Sequence, residues 1–395
     1  MSAADGHLPD PADLPDDLPD PPDPRPVDAS DGPPAAPRPA APTISISPRW
    51  NVQGADGAAL PARLIELLVQ VHGLGSLLSA CQALGLSYRH GWDLVRQGEA
   101  VLGATLLHME RGKGSTLSAL GEKLVWADRR IQARLSPVLE TLASELGAEL
   151  ARVAADPPPA LRIQASHGFA IERLVEALTR EGLAIERRYD SSTAAVAALR
   201  DGVCDVAGLH IPLGPLQAPA LQHYRRWLAP VDGLRLIDVA TRRQGLIVAP
   251  GNPRKVYELA DLLRPGLRFI NRQPGSGTRF LLEGLLREAG LEPTHIAHFE
   301  QAEYTHAAVA AFVASGMADV GFGLETPARQ FGLDFVPLAR ERYFLVCSEA
   351  ALGRPALQRV LAVLGSAAYA ASVDALPGYA AAHSGRVQAF DAAWG

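Results

Sequence analysis

Apolar residues recur at helical spacing through Leu60-Pro61-Ala62-Arg63-Leu64-Ile65-Glu66-Leu67-Leu68-Val69-Gln70-Val71, and Gly73-Leu74-Gly75 ends the pattern. A second short helix is predicted over Ser76–Leu84 with Ser76 as its N-cap. Gly85 supplies a turn, and a third helix opens at Ser87, again a candidate cap. On that helix Leu86, Trp92 and Val95 fall inward, whereas Tyr88, Arg89, His90 and Arg96 fall outward. Upstream, Ile44–Val52 reads as a short strand. Downstream, Ala104–Glu110, a basic glycine-rich tip Arg111-Gly112-Lys113-Gly114, and Ser115–Ser118 predict a hairpin. From Ala119 to Leu150, Leu120, Leu124, Ile131, Leu135, Val138, Leu142 and Leu146 make an apolar stripe suited to a partner helix. The same stripe would also serve packing against the chain's own domains. Pro137 is expected to kink or restart this helix, and Asp156-Pro157-Pro158-Pro159 to end it in a stiff linker.

From Leu161 the pattern changes to alternating strands and helices. Strands are predicted at Leu161–Ala165, Ile185–Tyr189, Val203–Leu209, Leu246–Ala249, Leu267–Ile270, His295–Glu300 and Ala318–Gly323, which implies an α/β domain with a parallel sheet. Ligands of such sheets sit at the carboxyl ends of strands. Those ends carry Ser166 and His167, then Ser191, Ser192 and Thr193, then the run Arg272-Gln273-Pro274-Gly275-Ser276-Gly277-Thr278-Arg279, and finally Tyr304 and Thr305. In the third, a strand enters a Gly/Ser/Thr turn that opens a helix. Helix starts present unpaired N–H groups and partial positive charge. Gly275 and Gly277 would let backbone approach an anion, Ser276 and Thr278 add hydroxyls, and Arg272 and Arg279 add charge. The same residues would equally serve a capped turn with nothing bound. One serine at a helix start is usually a cap; four hydroxyl-bearing ends that converge would make a site.

Composition narrows the classes. The formal charge of -6 over 395 residues comes largely from an Asp- and Pro-rich stretch at residues 1–42, which reads as a disordered acidic tail. The three cysteines, Cys81, Cys204 and Cys347, are far apart, so neither a disulfide framework nor a zinc site is expected. No apolar run reaches membrane-spanning length and no export signal is apparent, so the expected location is cytoplasmic. No Ser-His-Asp order, nucleophile elbow, HExxH or Walker motif is present, and neither a catalytic residue nor a metal site nor a cofactor is expected.

Leu86-Ser87-Tyr88-Arg89-His90-Gly91-Trp92-Asp93, Glu110-Arg111-Gly112-Lys113-Gly114 and Thr116-Leu117-Ser118-Ala119-Leu120-Gly121 resemble the winged helix of LysR-type regulators, and more closely that of molybdate-responsive ModE-type regulators. The resemblance implies double-stranded DNA as partner, contacted by Ser87, Tyr88, Arg89, His90, Arg96, Arg111, Lys113 and Ser115. It also implies a homodimer, and in some arrangements a tetramer, joined through the 119–150 helix. Asn271–Arg279, Ala318-Asp319-Val320-Gly321-Phe322-Gly323 and Ala165-Ser166-His167 resemble a type II periplasmic-binding-protein fold. The expected fold class is therefore multidomain: tail 1–42, winged helix-turn-helix 43–118, linker helix 119–155, and a two-lobed α/β effector domain 160–395. Lobe I is expected at 160–240 plus 345–395, and lobe II at 241–344. The combined resemblances imply a transcriptional regulator that senses a small oxyanion, molybdate or tungstate, and controls molybdenum-enzyme or cofactor genes. The arginines leave formate or another small carboxylate open. An enzyme or cofactor-handling protein of molybdopterin metabolism would use the same cleft.

Overall fold

A computed structural model describes residues 44–110, 114–154, 160–228 and 233–390. The tail, Arg111 and Lys113 of the hairpin tip, and the Asp156–Pro159 linker lie outside the described residues.

Three helices come first: α1 (Leu64–Leu74), α2 (Leu77–Ala83) and α3 (Tyr88–Leu102). Ser76 Oγ accepts from Ser79 N and Ser87 Oγ from His90 N, which starts α2 and α3. Leu64, Leu67, Leu68 and Val71 of α1 meet Leu77, Cys81 and Val95 in one core, where each buried leucine contributes roughly 1.5–3 kcal/mol. Helix α3 contains Gly91 and Gly98, although glycine costs about 1 kcal/mol against alanine inside a helix. A Cβ on Gly91 would lie 2.2 Å from Cys81 Sγ, and one on Gly98 2.1 Å from Leu64 Cδ2. The two glycines are therefore what lets α3 seat against its neighbours. The strand expected at Ile44–Val52 does not form: among the described residues no strand pairs with it. A single bridge pairs Gln53 with Ala59, and Trp50 Nε1 donates to Asp128 Oδ1 at 2.8 Å.

Strands β1 (Leu107–Glu110) and β2 (Gly114–Leu117) pair antiparallel with Leu107 opposite Leu117. Helix α4 (Ala119–Ala154) then runs 36 residues as one helix through Pro137 rather than restarting there. Proline has no N–H to give the Ala133 carbonyl; Thr305 Oγ1 donates to that carbonyl instead, at 2.8 Å.

The rest of the chain folds as β3 (Leu161–Ala165), α5 (Phe169–Arg180), β4 (Ile185–Tyr189), α6 (Ser192–Arg200), β5 (Val206–Pro212), α7 (Gln217–Leu228), β6 (Leu234–Val248) and β7 (Phe269–Arg272). Then come α8 (Gly277–Glu288), β8 (Ala302–Glu303), α9 (His306–Ala314), β9 (Val320–Leu324), α10 (Glu325–Gln330) and β10 (Asp334–Ser348). Last are α11 (Glu349–Leu352), α12 (Pro355–Leu364), α13 (Ala367–Asp374), β11 (Tyr379–Ala380) and β12 (Val387–Ala389). The sheet order is β4-β3-β5-β10-β6-β9-β7-β8, with β11 and β12 added onto β6.

The sheet is mixed, not parallel as the alternating pattern suggested. Parallel pairing holds within β4-β3-β5 and within β9-β7-β8. Between these two groups stand β6 and β10, fifteen residues each and antiparallel to one another. Glu341–Val346 of β10 pairs with β5 of one lobe, while Gln244–Val248 of β6 pairs with β9 of the other. The two long strands thus carry the chain between two lobes, and their register shifts at Pro337/Ala339 and Tyr343/Phe344 bend the pair where it crosses. Two other expectations are corrected. The strand expected at Val203–Leu209 begins at Val206 and runs on through His210 to Pro212, because Gly202 (φ 70°) still belongs to the turn after α6. No strand forms at His295–Glu300: Pro293–His295 is a 3-10 turn and His298 takes φ 64°, which a strand does not accommodate. Among the described residues no single helix is long and apolar enough to cross a membrane.

Candidate functional site

The turn after β7 places Gly275 at φ 79°, a left-handed conformation costly for any residue with a Cβ. Ser276 Oγ accepts from Arg279 N at 3.2 Å and starts α8. Gly277 is not forced by space, since a Cβ there would lie 3.9 Å from its nearest neighbour, His210 Cβ. That contact brings the α8 start of one lobe against β5 of the other. Thr278 Oγ1 accepts from Gln244 Nε2 at 3.0 Å and lies 3.4 Å from His306 Nε2. Gln244 Nε2 also donates to Glu341 Oε1 at 2.8 Å, and Arg242 Nε donates to the same oxygen. Across the cleft, Ser166 Oγ is 3.2 Å from Ser192 Oγ, which is 3.4 Å from His210 Nδ1. The His210 ring stacks on Tyr343 at 4.3 Å. Hydroxyls from the β3 end, the α6 start and the α8 start therefore meet around side chains of the two crossing strands.

Arg242 and Glu341 form a fully buried ion pair, a type of contact whose desolvation largely offsets its attraction. Arg272 differs. It is only 7% exposed, its Nη2 donates to the Tyr304 carbonyl at 3.0 Å, and it forms no ion pair with a carboxylate among the described residues. Burial, reinforced by the Arg242 charge and opposed by Glu341, pushes its guanidinium down to about 9. Burial and the same two arginines hold His210 and His306 well below the usual histidine range, so both are neutral. Gln244 Oε1, His306 Nδ1 and the Tyr343 hydroxyl are buried without a partner, and an unpaired buried polar atom costs about 1–3 kcal/mol. Arginine charge, hydroxyl donors and helix starts are groups that suit an anion, whereas the unpaired Gln244 Oε1 is an acceptor and suits a donor.

The histidines give a pH dependence with a definite sign. Unfolded histidine titrates near about 6.5, and His210 and His306 titrate lower when folded. Their contribution is present above the unfolded value and is lost as pH falls below it. Urea unfolding midpoints should fall as pH drops below about 6.5, and His306→Gln should flatten that fall; an unchanged slope would remove His306 as a cause. His167 has the opposite sign. Burial alone would lower it, but Glu140 and Glu172 raise it to about 9, so its contribution is full below about 6.5 and lost as pH rises through 9.

The predicted residues separate into groups. Ser166, Ser192, Thr278 and Arg272 lie at the polar centre. Thr193, Gly275, Ser276, Gly277 and Arg279 line a 130 Å³ pocket beside it, where Thr193 Oγ1 is 3.3 Å from His223 Nε2. Several expectations are corrected by the contacts. Arg279 is held by Glu283 at 2.8 Å and Glu300 at 2.8 Å, above the Phe299 ring, so its charge is already matched. The Thr305 hydroxyl is consumed, accepting from Ala308 N and donating to Ala133 O. Tyr304 turns its side chain to solvent and offers only its carbonyl. Ser191 is the α6 cap, accepting from Ala194 N. His167 faces Glu172 at 2.9 Å and Glu140 at 3.6 Å rather than standing free for a ligand. In the N-terminal elements Tyr88, Arg89, His90 and Arg96 are exposed along with the Ser87 cap, and Arg96 pairs with Asp93 at 3.2 Å. Ser115, by contrast, is buried: its Oγ accepts from Leu77 N at 3.1 Å and fastens the hairpin to α2 instead of facing outward.

Arg242, Gln244, Glu341 and His306 were not singled out by the sequence pattern. Their signal was charge inside apolar runs, Arg242-Arg243-Gln244 and Arg340-Glu341-Arg342, which surround no local motif. Among the described residues no group of three or more His, Cys, Asp or Glu could hold a metal ion.

The family model of the PBP superfamily domain matches residues 175–365. The uncharacterized protein YvgK of Bacillus subtilis (strain 168) is 33% identical over 204 residues, 51% of this chain and 64% of YvgK. The chain thus spans less than two thirds of that relative's length. An uncharacterized protein from the 5′ region of the ferredoxin 2Fe-2S gene of Clostridium pasteurianum is 31% identical over 108 residues, 27% of this chain and 96% of that protein. The molybdenum-pterin-binding protein MopB of Rhodobacter capsulatus is 31% identical over 101 residues, 25% of this chain and 37% of MopB. Among solved structures, CbnR, a LysR family transcriptional regulator, covers 75% of this chain and 97% of its own at 19% identity and a TM-score of 0.35. The chain belongs to the family of the Clostridium pasteurianum protein and carries a PBP superfamily domain within it.

Proposed function

We propose that this protein is a one-component DNA-binding regulator of the cytoplasm that senses a small oxyanion, molybdate or tungstate, and controls molybdenum-enzyme or cofactor genes. The observation that carries the sensing half is Arg272, a buried guanidinium with no carboxylate ion pair among the described residues, set among hydroxyls and helix starts between two lobes. The identity shared with MopB supports a molybdenum oxyanion as the ligand. The three helices and hairpin serve as a winged helix, with the exposed Tyr88, Arg89 and His90 at the start of α3 entering a major groove. Leu135, Val138, Leu142, Leu146 and Leu150 of α4 are 38–56% exposed in one stripe, which supports pairing of two copies. Bending of the β6/β10 pair on ligand binding would then shift the balance between two arrangements of the DNA-contacting helices.

The test is calorimetric titration of ligand-free protein with molybdate, tungstate, sulfate and formate, with operator binding measured in parallel. Molybdate or tungstate binding without a response to sulfate is the expected result, and silence with all four would end the anion reading. A response to formate alone would favour the small-carboxylate reading, which rests on the match between the Arg272 fork and a planar carboxylate. Arg89→Ala should weaken operator binding about tenfold, the low end of the roughly 1–3 kcal/mol of a direct base contact, and leave anion affinity unchanged. Equal DNA affinity at physiological salt would remove α3 as the recognition helix.

A further inference from the structure

Helix α4 is fastened to both lobes. On the second lobe, Arg134 Nε donates to Glu303 Oε2 at 2.6 Å, Thr305 Oγ1 to the Ala133 carbonyl at 2.8 Å, and Lys123 Nζ to the Ser315 carbonyl at 2.9 Å. Trp126 stacks on Phe331 with centroids 5.9 Å apart. Further along, α4 meets the first lobe. Glu140 pairs with Arg187 at 3.3 Å, Tyr189 N donates to Thr141 Oγ1 at 3.1 Å, and Arg187 N donates to Ser144 Oγ at 2.9 Å. Those two N–H groups belong to β4, the end strand of the sheet, so side chains of α4 occupy ladder positions that another strand would otherwise take.

Between the two sets of contacts lies a 180 Å³ pocket lined by Ser136 and Glu140 of α4, by His167, Gly168 and Glu172 of the first lobe, and by His306 and Ala307 of the second. It shares its walls with the polar centre. His306 Nε2 lies 3.4 Å from Thr278 Oγ1, and a Cβ built on Gly168 would be 3.6 Å from Arg242 Nη1. Two carboxylates, Glu140 and Glu172, reach this wall, and two cations balance them: His167 lies 2.9 Å from Glu172 and 3.6 Å from Glu140, and Arg187 lies 3.3 Å from Glu140. Burial alone would raise the Glu140 carboxyl, and His167 and Arg187 hold it low. Pro137 stands between the contacts to one lobe and the contacts to the other, at the point where α4 lacks a backbone hydrogen bond of its own.

We infer that α4 is a wall of the effector pocket and the gate on its side: the helix that joins the DNA-contacting elements to the lobes closes this mouth of the cleft, and ligand passes by this route when α4 leaves one lobe. The inference rests on the anion-binding reading of the cleft. A change in the angle between lobes strains one set of α4 contacts or bends the helix at Pro137, so occupancy is communicated without an intermediary surface.

The experiment compares the full chain with the Thr141→Val/Ser144→Ala double variant, which removes both acceptors for the β4 N–H groups and no residue of the polar centre. Carbethoxylation of His306 by diethylpyrocarbonate, read by peptide mass, should rise at least tenfold in the variant while His210 stays protected. Unchanged His306 reactivity overturns the gate, and so does an equal rise at His210, which would mean general loosening. Glu140→Gln, a milder change, should move His306 in the same direction. Molybdate, and formate if molybdate is silent, should associate at least tenfold faster with the double variant by stopped flow; equal rates overturn the gate. Absence of binding to the parent would fail the anion reading instead, with the gate then decided by His306 reactivity alone.

Discussion

Replacing Arg272 with methionine should weaken anion binding at least a hundredfold and leave the folded protein as stable as the parent or more so. The opposite signs come from one fact: this guanidinium is buried and forms no ion pair among the described residues. Without ligand its charge is a cost, visible in the downward shift to about 9 caused by burial and by Arg242. Methionine fills similar volume and removes that cost, as buried ionic groups replaced by apolar ones often do. With ligand, Arg272 is the buried charge that no ion pair among the described residues already holds, and truncating one member of a buried charged pair costs roughly 2–5 kcal/mol; a hundredfold is about 2.7 kcal/mol. The measurements are titration with whichever of molybdate, tungstate or formate the parent binds, and urea unfolding of the ligand-free protein. Loss of stability with retained affinity would make Arg272 a structural residue fastening the Tyr304 carbonyl.

Leu142→Glu should convert the protein to a monomer at micromolar concentration and reduce operator affinity at least a hundredfold. Leu142 is 46% exposed in the single chain, in the middle of the α4 stripe. Its neighbours Thr141 and Ser144 hold β4 of the same chain, whereas the Leu142 side chain itself is half open to solvent, so a carboxylate there stays hydrated in a single chain. In a paired helix two copies of the new carboxylate would be buried against each other, a penalty of several kcal/mol. Operator affinity falls with it, because two linked half-site contacts act together only in the dimer. Sedimentation velocity and operator titration check both halves. A variant that still sediments as a dimer would move the subunit interface off this stripe.

Local features of this chain were legible in its sequence, and long-range ones were not. The caps at Ser76, Ser87 and Ser276 depend on a side chain and an N–H three residues away, so residue type and position suffice. Strands β6 and β10 depend on partners about a hundred residues distant, as Arg242 and Glu341 are. Alone, Leu234–Val248 carries Asp238, Arg242 and Gln244 where a buried strand should be apolar; paired, Arg342 matches Asp238 and Glu341 matches Arg242. The polar centre between the lobes was legible in part for the same reason. Its helix-start hydroxyls stood out at Ser166, Ser192 and Thr278, whereas Gln244, Glu341 and His306 gain meaning only when the crossing strands come together. Thr305 shows the reverse error: a hydroxyl at a helix start was available by pattern, and the carbonyl freed by Pro137 had already taken it.

The first lobe is built from chain segments made at different times. Tyr369 of α13 donates its hydroxyl to the Ala170 carbonyl, and Leu357 and Val360 of α12 share a core with Ile171 and Leu174 of α5. A ribosome therefore releases α5 before its cover exists, and the interval from Arg180 to Tyr369 lasts roughly 10–40 s at typical synthesis rates. During that interval the nascent chain shows an oily helix face to whatever is nearby, while the second lobe, whose core lies within one continuous stretch, can already close on itself. Translation stopped ahead of α12 would yield an unfinished lobe destined for chaperones or proteases, not a shortened working protein.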